Sequence, residues 1–274
     1  MDDITEVDGP FARLKPNETV PETAPGFEGD VVLPVPANAP PMPQTHFKLG
    51  QPSARWAYRD TTGATMFEVL RFNKHDGGKI FLPLTLWRDV NGFRWRWKAV
   101  PKPRPLYNLH KLAAQPDETV VVCEGEKSAD AAALIFPEVV ATTSPGGANA
   151  AEKADWSVLR GRKVLIWPDQ DTPGHTYAEN VGAKLTALDC EVSVIDAAAL
   201  AQIAPGGGTR EPTKTGWDAA DALNEWDDVA ALRLAAIKST NATDVVPAYV
   251  SFGRFKMDAD GLHTEIKQGR GENP

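Results

Sequence analysis

The fold of this chain is decided by the stretch Thr119-Val120-Val121-Val122-Cys123-Glu124-Gly125-Glu126-Lys127. A continuous run of β-branched residues, without polar alternation, is typical of a strand that is covered on both faces. An Ala-rich segment with a helical period, residues 128–136, follows the acidic end of this run. Glu124 therefore stands at the carboxyl end of a buried strand, which is where open α/β sheets bind their ligands.

The same pattern recurs further along the chain. Apolar runs and helical segments alternate, which predicts an α/β fold with a parallel sheet flanked by helices and joined by right-handed crossovers. The further strands are predicted at 139–143, 163–167 and 191–195, and the further helices at 148–159, 175–188, 217–226 and 229–239.

Composition divides the chain into four segments. Residues 1–46 hold nine of the 23 prolines, with two basic and eight acidic side chains, and are predicted to be a disordered arm that acts as a linker, a tether or a peptide ligand. Residues 47–112 hold thirteen basic and four acidic side chains and are predicted to be a small basic β-rich subdomain. Residues 113–245 form the predicted α/β domain, and residues 246–274 are a C-terminal segment or a linker to a following region.

The basic subdomain contains a strictly alternating stretch, Phe93-Arg94-Trp95-Arg96-Trp97-Lys98. Alternation places the three aromatic side chains on one face of a strand and the three basic side chains on the other. The basic face is either a solvated sheet surface or a surface that follows nucleic-acid phosphates. The candidate nucleic-acid-binding residues are Arg71, Lys79, Arg94, Arg96 and Lys98.

Acidic residues also follow the strand predicted at 163–167. Asp169 and Asp171 alternate on an extended segment, so both carboxylates can reach the same cation or pair of cations. Oxygen ligands with few histidines favour Mg²⁺ or Mn²⁺, and two such ions would clamp the attacking and leaving oxygens of a transferring phosphate. Together with Glu124, these residues predict a metal-dependent enzyme that acts on phosphates, although each motif alone also suits an ordinary turn or helix start.

Other residues are candidates for the same site. Asp218 and Asp221 are one helical turn apart and are either further metal ligands or an acidic helix start. Lys127, with the free N–H groups of its helix, is a candidate phosphate ligand, as are the backbone groups of Gly146 and Gly147.

Several classes of protein are excluded by the sequence. No stretch reaches the roughly 18–20 apolar residues that cross a membrane, and the acidic start is unlike a secretory signal. Two cysteines supply neither a disulfide framework nor a four-ligand zinc site, and no P-loop motif is present. We expect a cytoplasmic protein.

The order Glu-Gly-Glu-Lys at 124–127, Pro-Gly-Gly at 145–147 and Asp-Gln-Asp-Thr-Pro-Gly at 169–174 resembles the Toprim domain of bacterial-type primases, topoisomerases and certain nucleases. It is most similar to the primase-type Toprim domains of phage and plasmid primase–helicase replication proteins, as is the stretch Gly216-Trp217-Asp218-Ala219-Ala220-Asp221. The resemblance covers about residues 118–240. Ser128 stands where the family often has a second acidic residue, and whether Asp130 replaces it is left open.

This resemblance implies a DNA primase module that makes short primers on single-stranded DNA by metal-dependent nucleotidyl transfer. It implies that Glu124, Asp169 and Asp171 are catalytic and bind two Mg²⁺ or Mn²⁺ ions, with Asp218 or Asp221 as the third acidic site. The implied partners are a single-stranded DNA template, nucleoside triphosphates and a replicative helicase in cis or in trans. A Toprim nuclease and a non-catalytic DNA-binding module for a helicase are the alternatives.

Overall fold

In the computed structural model of the protein, the described residues are 29–242 except 75 and 213, together with 250–252, 255–258 and 261–264. Within this part the chain forms two five-stranded sheets and one three-stranded sheet. The helices found in it are too short or too polar to cross a bilayer.

The first sheet is antiparallel and lies near the N-terminus. Its strand order is β1-β4-β3-β2, and β5 also pairs with β4. The prediction of a β-rich subdomain is confirmed, although the sequence pattern missed the first two strands. The strands are β1 (Asp30–Val31), β2 (Ala54–Arg59), β3 (Thr65–Asn73), β4 (Lys79–Asp89) and β5 (Gly92–Arg96).

The structure differs from the prediction in residues 29–46, which belong to this sheet rather than to a disordered arm. The backbone N–H of Val32 donates to the carbonyl of Leu86 at 2.8 Å. Met42 and Leu49 pack on an apolar cluster of the sheet. The apolar face of this sheet, which includes Leu70 and Leu84, needs a cover, and this Pro-rich segment supplies it. The arm predicted for residues 1–28 lies outside the described residues.

The second sheet confirms the predicted α/β class. Its order is β10-β9-β8-β6-β7, in which β6, β7, β8 and β9 are parallel to one another and β10 is antiparallel to β9. The strands are β6 (Val120–Cys123), β7 (Val140–Thr142), β8 (Lys163–Trp167), β9 (Glu191–Ile195) and β10 (Thr240–Ala242), and the helices are α1 (Leu109–Ala114), α2 (Glu126–Ile135), α3 (Thr172–Thr186), α4 (Ala197–Ala201), α5 (Ala219–Glu225) and α6 (Val229–Lys238).

Both faces of this sheet are buried, as the apolar runs predict. Alternate residues of β6 and β8 face opposite layers: Val121 and Leu165 join the cluster that includes α2, α5 and α6, whereas Val120 and Val164 join the cluster on the α3 side. The two layers of helices hold the strand ends in place, and these ends carry the acidic residues.

Two other segments depart from the expected pattern. Residues 148–159, predicted as one helix, form two short 3₁₀ helices at Ala148–Lys153 and Ser157–Leu159. The C-terminal segment forms a sheet of β11 (Val250–Phe252), β12 (Phe255–Asp258) and β13 (Gly261–Thr264). Residues 259 and 260, between β12 and β13, lie outside the described residues.

Candidate active site

The strands β6 and β8 are neighbours, with Cys123 paired to Trp167 at their carboxyl ends. The chain continues from β6 to β7 on one side and from β8 to β9 on the other. Such a reversal of direction opens a crevice in which α/β proteins bind ligands. Glu124 follows β6 directly and Asp169 follows β8 by two residues, so the sheet brings both predicted acids to this crevice.

Asp169 is in an environment that disfavours its negative charge. Its Oδ1 atom is buried and has no hydrogen-bond partner within the described part of the chain. Burial, followed by the negative charges of Glu124, Asp218 and Asp171, raises its pKa to about 8. A carboxylate of this kind either keeps a proton or is stabilised by a cation.

Asp171 holds the start of α3. It is the N-cap of that helix, and its Oδ1 accepts a hydrogen bond from the backbone N–H of Gly174 at 2.8 Å. A Cβ atom at Gly174 would lie 2.2 Å from the carbonyl oxygen of Asp169. The absence of a side chain at position 174 is therefore what lets α3 approach the loop that carries Asp169.

Asp218 and Asp221 already have partners. They form a capping box at the start of α5: the N–H of Asp221 donates to Asp218 at 2.8 Å, and the N–H of Asp218 donates to Asp221 at 3.1 Å. The Nζ of Lys214 lies 2.7 Å from Asp221, and the Nζ of Lys127 lies 4.0 Å from Asp218 and 3.9 Å from Asp221. Burial alone raises the pKa of Asp221, but the hydrogen bonds from Lys214 and from the N–H of Asp218 lower it overall.

The loop before α5 lies against the loop after β8. The N–H of Gln170 donates to the carbonyl of Trp217 at 2.8 Å, and the N–H of Gly216 donates to the carbonyl of Gln170 at 3.0 Å. The structure thus gathers all five predicted acidic residues at one edge of the sheet. It also adds Lys214, which sequence reasoning missed because no local pattern marks a lysine that pairs with an acid seven positions later.

The donor set suits a magnesium-type ion only in part. Within residues 29–242 and the other described segments, no group of three His, Cys, Asp or Glu side chains is close enough to hold a metal. Mg²⁺ is commonly held by one or two carboxylates together with waters and substrate phosphates. The uncompensated Oδ1 of Asp169, next to Glu124, fits that mode of binding, in which a substrate completes the coordination.

The glycines at 146 and 147 have a conformational reason to be there. Both have positive φ angles, of 100° and 68°, and a Cβ atom at Gly146 would lie 2.9 Å from the Cβ of Ala150. Backbone geometry therefore accounts for both residues, and their role in phosphate binding stays a prediction.

The five basic candidates divide between the strands of the first sheet. Arg71 is paired with Phe81, which lies on the same face as Lys79, and Arg96 is paired with Thr85. Since paired residues and alternate residues point to the same side of a sheet, these side chains share one face. We call this surface the basic face, and it also carries Arg94 and Lys98. The Nε atom of Arg94 lies 3.7 Å from an oxygen of Asp89, and the Nζ atom of Lys98 lies 4.0 Å from the ring centre of Trp87.

The basic face, on which Tyr58 and Trp56 also lie by register, meets helix α2 beside the second sheet. Tyr58 donates a hydrogen bond to Glu126 at 2.8 Å, and the indole N–H of Trp56 donates to Asp130 at 2.9 Å. Tyr107 donates to the other oxygen of Asp130 at 3.0 Å. Asp130 thus joins the two sheets, and both of its carboxylate oxygens accept hydrogen bonds at this interface.

The Tyr58–Glu126 hydrogen bond is expected to stabilise this junction measurably. Burial raises the pKa of Glu126, while the hydrogen bond from Tyr58 acts in the opposite direction. Tyr58→Phe would leave a buried carboxyl group without this donor and lower the free energy of unfolding by about 1–3 kcal/mol. Denaturant titration measures this change, and Glu126→Gln, which keeps an acceptor oxygen, is the control that should cost less. Equal stability of Tyr58→Phe and the wild type would contradict the expectation.

Comparison with known proteins gives two kinds of similarity. A model of a domain of unknown function, DUF6371, matches residues 56–170, and no curated protein matches the sequence. Three similar solved structures are DNA primase domains. The primase fragment of the bacteriophage T7 primase-helicase protein is 19% identical, with a TM-score of 0.37, and the match covers 52% of this chain and 52% of that chain. The zinc-binding and RNA polymerase domains of the Aquifex aeolicus primase are 16% identical (TM-score 0.40, 68% of this chain and 39% of that chain), and a DNA primase domain from Pseudomonas aeruginosa is 13% identical (TM-score 0.41, 72% of this chain and 56% of that chain). This chain thus spans between 39% and 56% of the length of these three chains.

Proposed function

We propose that this chain is a DNA primase module that joins nucleotides into short primers on single-stranded DNA. One observation carries the proposal: Glu124 and the uncompensated Asp169 meet at the crevice between β6 and β8, and helix α2, which begins beside Glu124, is hydrogen-bonded to the basic face. An acidic edge that holds a cation and a basic surface that holds a polyanion are both needed to act on a template strand. The motif order in the sequence supports the primase type.

The reaction joins the 3′-hydroxyl of one nucleotide to the α-phosphorus of the next and releases pyrophosphate. Mg²⁺ or Mn²⁺, when bound, would neutralise the transferring phosphate and favour ionisation of the attacking hydroxyl. Glu124 and Asp169 are the residues that would hold the ion. Asp171 would position Asp169 through the start of α3, and Lys127 and Lys214 would contact the triphosphate.

The arrangement of the lysines changes the role proposed for Asp218 and Asp221. Each acid is engaged in the capping box and lies beside at least one lysine. We therefore assign the pair to positioning Lys127 and Lys214, and direct metal binding to Glu124 and Asp169.

A non-catalytic DNA-binding module for a helicase is the second candidate. It is favoured by the same finding that limits the metal site: among the described residues, no three potential ligands lie close enough together to hold a metal ion. Such a module would use the basic face alone, and its DNA binding would not depend on a divalent ion.

Incubation with single-stranded templates, the four nucleotides and Mg²⁺ or Mn²⁺ separates these candidates. Short oligonucleotides that appear only with the metal support the primase. Metal-dependent shortening of the template, without synthesis, would support a nuclease instead. Template binding that is unaffected by chelation, with neither product, would support the binding module. A helicase partner, a phage or plasmid setting and a cytoplasmic location remain part of the proposal.

The affinity for metal is expected to depend on pH in a range where ordinary carboxylates are already fully ionised. Because the pKa of Asp169 is raised to about 8, binding of Mn²⁺ must displace a proton at lower pH. The affinity should therefore fall by up to about tenfold per pH unit below pH 8. Calorimetric titration with Mn²⁺ between about pH 6.5 and 8.5, in buffers of different ionisation enthalpy, measures both the affinity and the proton release. A constant affinity over this range would contradict the expectation that Mn²⁺ displaces a proton from Asp169.

A further inference from the structure

An aromatic side chain is exposed on the basic face. Phe81 leaves 49% of its surface exposed, and its ring stacks on the buried Trp56 with 6.2 Å between centroids and 26° between planes. Single exposed apolar residues are common on proteins, so exposure alone indicates nothing. Here the ring is backed by a second aromatic ring and lies directly across from Arg71, with Lys79 two residues away on the same face.

Register shows which way this group lies from the acidic edge. Tyr58 contacts Glu126 at the start of α2, and Trp56 contacts Asp130 one turn later. Ala54 precedes Trp56 by two residues, so it continues the direction from Tyr58 to Trp56 along β2. Ala54 pairs with Arg71 of β3, and Arg71 pairs with Phe81 of β4. The basic face therefore runs along α2 away from Glu124, and Phe81 lies about 13 Å along the strands from Tyr58.

We propose that Phe81, Arg71 and Lys79 form a distal subsite for single-stranded DNA, in which an unpaired base stacks on Phe81 while its flanking phosphates contact the two cations. This inference rests on the proposed function, because it places the subsite on a template that continues beyond the acidic edge.

The chemistry of the group selects a single strand over other polyanions. Stacking on an exposed ring requires a base whose face is free, whereas duplex DNA or an acidic peptide would engage only the charges. The cations supply the phosphate attraction, which does not depend on sequence. Arg96 is level along the strands with Thr85 and Tyr58, and Tyr58 contacts the start of α2. The strand would therefore contact Arg94, Arg96 and Lys98 on its way to the crevice.

Fluorescence anisotropy with labelled oligothymidylates of about 5 and about 15 nucleotides tests the subsite. We expect Phe81→Ala to bind the longer strand about tenfold more weakly and the shorter strand almost as the wild type does. Phe81→Leu, which keeps an apolar side chain without a ring, should behave like Phe81→Ala, and Phe81→Trp should retain affinity. Arg71→Ala and Lys79→Ala should each reduce the salt dependence of binding by about one ion.

The chain supplies a matched control in Phe47. This residue is 78% exposed, lies beside Lys48 and follows His46, which packs on the opposite face of the sheet through Phe72 and Trp97. Phe47→Ala should bind both oligonucleotides like the wild type.

Three results would overturn the distal subsite while leaving the proposed function intact. They are wild-type affinity of Phe81→Ala for the longer strand, an equal loss for both lengths, and an equal loss for a duplex of the longer length. Failure of the wild type to bind single-stranded DNA would instead overturn the proposed function together with this inference.

Discussion

Replacing Asp169 by asparagine is expected to lower the rate of primer synthesis by roughly a thousandfold. Asparagine keeps the size of the side chain but removes the charge that would hold the ion beside Glu124. The initial rate of oligonucleotide formation on a single-stranded template, at saturating Mg²⁺ or Mn²⁺, measures the effect. Glu124→Gln should produce a loss of similar size, because both carboxylates are needed at the crevice.

The same substitution should make the protein more stable. In the folded state the pKa of Asp169 is raised to about 8, so the wild type loses stability as the pH rises from about 4, where an unfolded aspartate ionises, to about 8. Asp169→Asn has no such group, and its advantage in the free energy of unfolding should grow over that range in the absence of metal. Opposite changes in activity and stability are what distinguish a functional residue from a structural one.

The control for both measurements is Asp189→Asn. Asp189 has an 82% exposed side chain and a φ of 59°, a conformation that asparagine also adopts readily, and it pairs with Arg160 at 3.3 Å on the surface. This variant should match the wild type in rate and in the pH dependence of stability. Primer synthesis by Asp169→Asn at the wild-type rate would place the active site elsewhere.

Replacing Gly174 by alanine is expected to displace the loop that carries Asp169, and so to lower both stability and activity. The added Cβ atom would lie 2.2 Å from the carbonyl oxygen of Asp169, a distance that only movement of the backbone can relieve. We expect the free energy of unfolding to fall by about 2–3 kcal/mol and synthesis to fall by about a hundredfold or more. Thermal or denaturant unfolding and the primer assay measure the two effects.

Gly182→Ala is the matched control in the same helix. There the Cβ atom would lie 3.7 Å from Ile166 Cδ1, an ordinary contact. Since alanine favours a helix interior over glycine, this variant should gain about 0.5–1 kcal/mol and keep full activity. If both substitutions had the same effect, the close approach of α3 to the Asp169 loop would not be a requirement of the site.

Sequence pattern was sufficient for the strands of the second sheet and for the acids at their ends. The apolar runs mark β6 and β8 within one residue, because burial on both faces leaves a signature in the local sequence. It was insufficient for residues 29–46, where proline content indicates an extended chain but cannot show that a sheet face needs covering. It was also insufficient for residues 148–159, whose apolar spacing does not separate an α-helix from two 3₁₀ turns.

The spacing of the acidic residues did not predict that they have different roles in the structure. Asp218 and Asp221 have the same chemistry as Asp169, yet they cap α5 and lie beside lysines, while Oδ1 of Asp169 is left without a hydrogen bond in the described structure. Asp130, one turn after Glu126, is used in the contact between the two sheets. These differences arise from neighbours that are distant in sequence.

The sequence by itself determined the α/β order, the edge at which the acidic residues collect and the alternation that makes a basic face. All three follow from local periodicity, which fixes the direction of each side chain relative to its own strand or helix. Only the tertiary structure decided that the basic face meets α2, that Phe81 lies at its distal end and that Asp169 has a raised pKa. Burial, hydrogen bonding and charge at these positions depend on contacts such as Tyr58–Glu126 and Trp56–Asp130, whose partners are 68 and 74 positions apart in the chain.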